Sequence, residues 1–214
     1  MNTENKVAFI RIPKNASTSM YKHCVGTNVL TNKALLPLFK KHLRFHNYFH
    51  PSHAFLSESV RILGPEILKI PVFCITRNPF DRMASIYKFC HKISFGDTRI
   101  PIDIPHYKEH ATNFEDFVKF CSSNQRNPNE IASLKQVDYL DVDHDITRLR
   151  FENLQEDFNK FILDNNIFGL EKALPKVNVS KGLPYREYYN EDTANLVREM
   201  WSRDFDELGY SKEL

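Results

Sequence analysis

The 214-residue chain has few glycines, four widely spaced cysteines, little net charge and no long apolar run. None of its six glycines belongs to a GxxxxGK[ST] phosphate-binding loop. A formal net charge of +2 provides no broad positive field, so we expect no nucleic-acid partner. The cysteines form no CxxC pair, which favours reduced, buried thiols of a cytoplasmic protein.

Two further absences bear on location. The opening segment MNTENKVAFIRI has neither the charged n-region nor the apolar core of a signal peptide. No window approaches the ~20 apolar residues that a membrane-spanning helix needs. We therefore predict one cytoplasmic domain over residues 1–214 without a membrane span, since domains commonly hold roughly 100–200 residues.

Strand-like and helix-like segments alternate along the chain, which predicts an α/β fold with a parallel sheet. Residues 6–12 (KVAFIRI) and 70–76 (IPVFCIT) are short β-rich runs, and TRLRFENL predicts a later strand that turns into a helix. Further helices are expected from Asn113 and from about Asn190, the latter carrying Trp201. Ligands of such sheets bind beyond the carboxyl ends of the strands, where the turns after the first two runs lie.

The first of these turns, PKNASTS, combines a lysine with three hydroxyl side chains at a predicted helix start. A helix N-terminus has unpaired N–H groups and a positive dipole end, so it binds phosphate-like groups. Lys14 adds a full charge, and it precedes the first hydroxyl by three residues, unlike the lysine of a Walker loop. On its own the turn fits either an anion site or an ordinary capped helix with a solvated lysine.

The second turn, TRNPFDRMASIY, also has an anion-binding pattern. Arg77 ends a predicted strand, Asn78 is a favourable N-cap and Pro79 suits the first helical position. An arginine at a strand end can bind a phosphate through two parallel hydrogen bonds, and Ser85 on the following helix can complete the site. We interpret Arg82, on the same helix, as a structural residue paired with a carboxylate.

Together the two turns resemble the paired nucleotide motifs of sulfotransferases that use 3′-phosphoadenosine 5′-phosphosulfate (PAPS). RIPKNASTS is similar to their 5′-phosphosulfate loop, and ITRNPFDRMASIY to their 3′-phosphate motif R-[DN]-P-x-x-R-x-x-S-x-[YF]. RFENLQEDFNKFI and residues 174–210 are similar to the C-terminal half of small carbohydrate sulfotransferases, whose family includes Golgi enzymes acting on heparan and chondroitin. The resemblance is poorest over residues 92–136. The membrane anchor and lumenal disulfides of the Golgi enzymes are not evident in this sequence.

The resemblance implies a P-loop-NTPase-like domain, with a central parallel β-sheet flanked by helices, that transfers a sulfuryl group from PAPS to a hydroxyl. It also implies that the first loop holds the 5′-phosphosulfate, that Arg77 and Ser85 hold the 3′-phosphate, and that a late loop closes over the nucleotide. The predicted donor-binding residues are Lys14, Asn15, Ala16, Ser17, Thr18, Ser19, Arg77, Ser85, Lys181 and Gly182.

Transfer to a hydroxyl further needs charge stabilisation on the leaving phosphate and a base for the acceptor proton. Lys14 is the candidate for the leaving oxygen, and histidine is the commonest base near neutral pH. Small relatives often have a histidine directly before a helix that ends in LG, and SHAFLSESVRILG fits that pattern with His53. His50 and Glu58 stay open as alternative bases, as does a purely structural role for His53.

A histidine-rich stretch raises the question of a metal. Its histidines have a spacing of about one helical turn, but Pro51 interrupts any continuous helix and no cysteine or close carboxylate completes a ligand set. We therefore expect neither a metal site nor metal-dependent chemistry. The histidines concerned are His42, His46, His50 and His53.

Two other classes of function remain open. A P-loop-type nucleotide kinase or NTPase would need the Walker order and a Mg²⁺-binding acid after a strand, and neither is evident. A non-catalytic nucleotide-binding protein would keep the phosphate turns without a base. The acceptor is expected to be a hydroxyl-bearing glycan or small molecule, bound by residues 27–50 and 92–136. Aromatic and basic residues there suit a sugar or an anionic glycan, and equally an ordinary protein surface: Phe45, Tyr48, Phe49, Lys92, Arg99, His106 and Tyr107.

Overall fold

Within the described residues, four parallel strands form a sheet in the order β2-β1-β3-β4. The structure, a computed structural model, describes residues 6–24, 29–31, 53–94, 110–125, 134–167, 169–170, 173–175 and 183–214. The strands are β1 (Val7–Ile10), β2 (Val29–Thr31), β3 (Val72–Thr76) and β4 (Ile146–Arg150). The predicted α/β class with a parallel sheet is confirmed.

Helices and short 3₁₀ segments connect the strands. The α-helices are α1 (Ser17–Cys24), α2 (Leu56–Leu63), α3 (Pro79–Ser94), α4 (Phe114–Ser123), α5 (Leu154–Asp164), α6 (Glu191–Met200) and α7 (Ser202–Leu208). The 3₁₀ segments are Pro65–Lys69, Val137–Tyr139, Phe151–Asn153 and Tyr185–Tyr188. None of the helices that the structure describes is long and apolar enough to cross a membrane. The cytoplasmic location stays a prediction.

Burial follows the position of each strand in the sheet. The interior strands β1 and β3 are buried at every residue, which explains their continuous apolar sequences VAFI and VFCI. The edge strand β4 buries only Leu149 and exposes Arg148 and Arg150. The sequence pattern of each strand thus reflects whether it has neighbours on both sides.

The chain divides into two compact units, which are described separately; the single domain over residues 1–214 stays a prediction. The first unit contains residues 1–77 and 136–179 and holds the whole sheet. On one face of that sheet Phe9 stacks on Phe73 at 4.7 Å, and Phe73 meets Phe161 of α5 at 4.8 Å. Met20 of α1 belongs to the same core cluster. This core holds α1 against the sheet.

The second unit contains residues 78–135 and 180–214, and Phe80 lies at the centre of an aromatic cluster within it. The Phe80 ring lies 4.9 Å from that of Phe205 and 5.3 Å from that of Tyr189. The Tyr189 hydroxyl donates to the Phe80 carbonyl over 2.8 Å, which satisfies its buried polar end. Burial raises the pKa of Tyr189 well above its usual value, so the phenol stays protonated.

Arg82 is a buried residue of this second unit. Its guanidinium lies 3.9 Å from the Asp204 carboxylate and 4.6 Å from the Trp201 ring, and it donates to the Leu134 carbonyl over 3.0 Å. Removing one partner of a buried ion pair typically costs about 3–5 kcal/mol. These contacts agree with the interpretation of Arg82 as a structural residue.

The predicted helix starts are confirmed by their caps. The Asn78 side chain accepts from the Phe80 N–H over 2.9 Å at the start of α3, and Asn113 accepts from the Asp116 N–H over 2.9 Å at the start of α4. Asn190 forms a capping box with Thr193 at the start of α6. The last helix differs from the prediction, because it ends at Met200 and a new helix begins at Ser202. The residue between them, Trp201, is fully buried against Arg82, and this tertiary contact sets the break.

The cysteines agree with the expectation of reduced thiols. All four are free and buried, at Cys24, Cys74, Cys90 and Cys121. Burial raises the pKa of Cys24 and of Cys74 to about 12, so neither thiol ionises near neutral pH.

Candidate active site

The carboxyl-terminal edge of the sheet carries positive charge. Among the described strands, Arg11 directly follows β1, Arg77 directly follows β3 and Arg150 ends β4. Parallel strands place their carboxyl ends at one edge, so these residues and the loop before α1 share it. The chain as a whole is nearly neutral, so this edge concentrates charge locally.

The loop between β1 and α1 has an unusual backbone. Lys14 has φ 68° and Ala16 has φ 53°, both in the left-handed region that glycine favours. Such conformations cost a non-glycine residue about 1–2 kcal/mol each. Alternation of left-handed and ordinary residues turns successive N–H groups into a concavity that suits an anion. Strain of this kind clusters at ligand-binding loops.

Three hydrogen bonds hold the loop against the end of β3. The Asn15 amide nitrogen donates to the Ile75 carbonyl over 2.7 Å and to the Gln136 amide oxygen over 2.6 Å. The Arg77 guanidinium Nη1 donates to the Lys14 carbonyl over 2.9 Å. Long-range contacts therefore hold the loop in left-handed conformations that glycine residues would adopt more readily.

Arg77 is itself held on several sides. Its guanidinium stacks over the Phe151 ring at 4.0 Å, and Gln136 bonds both its backbone N–H and its carbonyl, over 2.9 and 2.8 Å. A planar guanidinium fixed in this way loses little further entropy when it binds an oxyanion. The structure thus brings together Lys14 and Arg77, the two cations that were predicted for opposite ends of a nucleotide.

The predicted hydroxyls lie at the start of α1. Ser17 begins the helix, Ser17 and Ser19 are buried, and Thr18 is half-buried. The Ala16 carbonyl already accepts the first helical bond, from the Met20 N–H over 3.1 Å. The loop from Lys14 to Ser19 therefore forms one continuous turn, as the motif predicts, and the binding role of each residue stays a prediction.

The remaining predicted residues belong to the second unit or lie outside the described residues. Ser85 lies half-buried in the interior of α3 and belongs to the second unit, so its role stays a prediction. Lys181, Gly182 and His50 lie outside the described residues. The same holds for most of segments 27–50 and 92–136 and for the predicted acceptor side chains Phe45, Tyr48, Phe49, Lys92, Arg99, His106 and Tyr107.

His53 reaches the end of β1. Its Nδ1 lies 2.7 Å from the Arg11 carbonyl oxygen, in the residue that follows β1. A carbonyl oxygen only accepts, so Nδ1 carries the proton of this bond. In the neutral ring Nε2 then bears the lone pair that a general base needs. The geometry thus gives His53 the tautomer required for proton abstraction.

Glu58, the rival base, is engaged elsewhere. Both Nε and Nη2 of Arg61 donate to one of its carboxylate oxygens, over 3.0 and 2.6 Å, within α2. The Glu58 carboxylate is therefore already paired within its own helix. This pairing favours His53 over Glu58.

A comparison with protein families decides the class of protein. The model of the sulfotransferase family matches residues 1–211, which is nearly the whole chain. The chain belongs to the sulfotransferase family. It is therefore a transferase of sulfuryl groups with the P-loop-like α/β fold of that family, and the predicted resemblance is confirmed. Searches of curated proteins and of solved structures found no significant match.

Sequence reasoning missed Arg11 in this sulfotransferase. The side chain is only 4% exposed, its guanidinium lies 5.0 Å above the Tyr21 ring, and its Nε and Nη1 have no hydrogen-bond partner among the described residues. Burial lowers the pKa of Arg11 to about 10, so it remains a cation at neutral pH. Arg77 was identified from the sequence because it lies at the end of a strand. Arg11 also lies at the end of a strand, so the same criterion would have identified it.

Gln136 was also missed, and no local signal marks it. It lies at the end of the segment 92–136, where the resemblance to sulfotransferases is poorest. Its partners Arg77 and Asn15 are 59 and 121 residues away in the sequence. Only the folded sheet shows that its amide joins the two cationic turns of the sulfotransferase.

No metal cluster is formed within the part of the chain that the structure describes, where no three His, Cys, Asp or Glu side chains are placed to share an ion. His42, His46 and His50 lie outside that part. Metal-independent catalysis by the sulfotransferase stays a prediction.

Proposed function

We propose that this sulfotransferase moves a sulfuryl group from PAPS to a hydroxyl of an anionic glycan. The observation that carries the proposal is the strained Lys14 loop bound to Arg77 at the end of the neighbouring strand. Two cationic turns at one sheet edge suit a donor that carries two separate anionic groups. A kinase or NTPase would instead present the Walker order of residues, which the loop lacks.

The residues present fit the two anionic ends of PAPS. Backbone N–H groups, Lys14 and the hydroxyls of the loop would hold the 5′-phosphosulfate. Arg77 would hold the 3′-phosphate together with Ser85. A guanidinium has five N–H donors, so Arg77 can bond the Lys14 carbonyl and still bind a phosphate. The proposed donor-binding residues are those from Lys14 to Ser19, Arg77 and Ser85, with Lys181 and Gly182 as a covering loop.

The proposed mechanism gives separate roles to two side chains, Lys14 and His53. When bound, PAPS supplies an activated sulfuryl group with a phosphate as leaving group. The Lys14 ammonium stabilises negative charge on the leaving oxygen, and the loop that holds it is fixed before the reaction, so little reorganisation is needed. His53, with Nδ1–H bonded to the Arg11 carbonyl, accepts the acceptor proton at Nε2.

The first prediction concerns the donor. Arg77→Met should weaken binding of adenosine 3′,5′-bisphosphate about 10- to 150-fold, since one charge-assisted contact is lost, and should weaken binding of adenosine 5′-phosphate less, through the lost bond to the Lys14 carbonyl alone. Calorimetric titration of both nucleotides and of ATP measures this. Arg203→Met is the matched control, because Arg203 is an exposed arginine that pairs with Glu207 within α7.

Two outcomes would count against the donor. Equal affinity of the unmodified enzyme for the bisphosphate and the monophosphate would show that Arg77 does not bind a 3′-phosphate. Tighter binding of ATP than of the bisphosphate would favour the kinase or NTPase. Transfer of labelled sulfate from PAPS separates an enzyme from a non-catalytic nucleotide-binding protein.

The second prediction concerns the acceptor. A buried cation is costly unless it is paired, and among the described residues Nε and Nη1 of Arg11 have no hydrogen-bond partner, so Arg11 is suited to an anionic group that arrives with the acceptor. Arg11→Met should raise KM for a carboxylated or sulfated glycan about 10- to 150-fold and leave PAPS affinity unchanged. The thermal stability of the variant should be equal or higher, because a buried, desolvated charge is removed.

The matched measurement compares acceptors of different charge. A panel of neutral, uronate-containing and sulfated oligosaccharides is offered with PAPS, and products are identified by mass spectrometry. We expect Arg11→Met to affect only the anionic members. Preferential sulfation of neutral sugars by the unmodified enzyme would contradict an anionic acceptor.

A further inference from the structure

We propose that Gln136 is a positioning residue that couples the two anion-binding turns, so that the Lys14 loop and Arg77 bind one donor together. This proposal rests on the proposed donor, PAPS. The side chain is 0% exposed and directly precedes the 3₁₀ segment Val137–Tyr139. A fully buried amide depends on the protein for its hydrogen bonds, and three of those that Gln136 makes lead to the two turns.

The amide of Gln136 makes three short hydrogen bonds. Its Oε1 accepts from the Arg77 N–H over 2.9 Å and from the Asn15 Nδ2 over 2.6 Å. Its Nε2 donates to the Arg77 carbonyl over 2.8 Å. One side chain thus holds the backbone of one turn at two points and the buried side chain of the other.

The backbone determines how both amides are oriented. A backbone N–H only donates and a carbonyl only accepts, so Arg77 permits a single orientation of the Gln136 amide. That orientation presents an oxygen to Asn15, which must then donate from Nδ2. The same Nδ2 also donates to the Ile75 carbonyl over 2.7 Å, in agreement with this assignment. The network therefore has no equivalent flipped arrangement.

These bonds close a ring around the candidate site. Asn15 lies between the two left-handed residues of the loop, and Arg77 donates from Nη1 back to the Lys14 carbonyl. The ring runs from Gln136 through Asn15 to Lys14, across to Arg77 and back to Gln136. Moving either turn therefore strains the other, and Gln136 bonds both turns.

A coupling residue has a different signature from one that only supports the fold. A supporting residue changes the melting temperature but not the affinities of the folded protein. A residue that positions both turns should affect recognition of a 5′-phosphate and of a 3′-phosphate alike. The Arg77→Met variant, in contrast, should weaken recognition of the 3′-phosphate more than that of the 5′-phosphate, because it loses a direct contact to the former and only the bond to the Lys14 carbonyl on the side of the latter.

The test uses Gln136→Met, which keeps the length of the side chain and removes all three hydrogen bonds. Affinities for adenosine 5′-phosphate, adenosine 3′-phosphate and the 3′,5′-bisphosphate are measured well below the melting temperature. We expect each to weaken about 10- to 100-fold, because three backbone and side-chain groups lose their partner. Gln125→Met is the matched control, since Gln125 is exposed and, in the part of the chain that the structure describes, its side chain bonds the Ser122 carbonyl of its own turn.

A second variant tests the coupling from the other turn. Asn15→Ala lies in the loop proposed for the 5′-phosphosulfate, yet it should weaken binding of adenosine 3′-phosphate about 10-fold through Gln136 and Arg77. This result is available even if Gln136→Met does not fold. Unchanged 3′-phosphate affinity in Asn15→Ala, or unchanged affinity for all three nucleotides in a folded Gln136→Met, overturns the positioning role. Failure of the unmodified enzyme to bind the bisphosphate would instead overturn the proposed donor.

Discussion

Lys14→Met is expected to lower kcat for sulfuryl transfer about 10²- to 10³-fold. This is the usual loss when one preorganised donor to a developing negative charge is removed. Lys14 follows the buried strand β1 and sits in a loop that is bound to β3 through Asn15 and Arg77. Methionine keeps most of the side-chain length, so the change removes the charge and little of the packing. Steady-state transfer of labelled sulfate from PAPS measures the effect.

A glycine substitution at Lys14 can separate the effect on catalysis from the effect on folding. Lys14 has a φ of 68°, and this left-handed conformation is energetically less favourable for a lysine than for a glycine. Lys14→Gly should therefore unfold at no lower temperature than the natural sequence, or at a slightly higher one, while it is as inactive as Lys14→Met. A destabilised Lys14→Gly would show that the side chain supports the fold.

The control for both variants is Lys22→Met, an exposed lysine in the last turn of α1. It should retain full activity and affinity. Transfer by Lys14→Met within a few-fold of the natural rate would remove Lys14 from the proposed chemistry.

Local features of the fold could be predicted from the sequence because their causes are local. Asn78, Asn113 and Asn190 each begin a helix, and in each case the capping bond reaches only two or three residues along the chain. The interior strands were equally clear, since burial on both faces requires unbroken apolar residues. The break between helices at Trp201 could not be predicted in this way, because it depends on a contact with Arg82 from a distant part of the sequence.

The candidate site could be predicted from the sequence at the positions where a charged residue follows a strand. Lys14 and Arg77 both follow apolar runs, and the structure places them at adjoining strands. The absence of glycine from the loop counted against an NTPase, and a left-handed turn without glycine is not expected from local preferences. Long-range bonds from Asn15 and Arg77 hold that turn instead. Such bonds have no signature in a single sequence.

His53→Asn is expected to lower kcat about 10²- to 10⁴-fold, the usual contribution of a general base. The asparagine amide nitrogen occupies nearly the position of Nδ1, so it can still donate to the Arg11 carbonyl that His53 bonds at 2.7 Å. It has no equivalent of the basic Nε2. The substitution therefore removes the base and keeps the local fold, and affinity for the bisphosphate should stay within about two-fold of the natural enzyme.

Three further variants identify the base if it is not His53. Glu58→Gln breaks an ion pair with Arg61, which is nearly half exposed, so it should cost little stability and leave transfer unchanged. His50→Ala should likewise retain activity. Added imidazole should restore part of the transfer in His53→Ala, because the free base can occupy the space that the side chain leaves. Near-normal turnover of His53→Asn would exclude His53, and an inactive but folded Glu58→Gln would assign the proton transfer to Glu58. Loss of nucleotide binding in His53→Asn would show that His53 supports the loop and does not act on the acceptor.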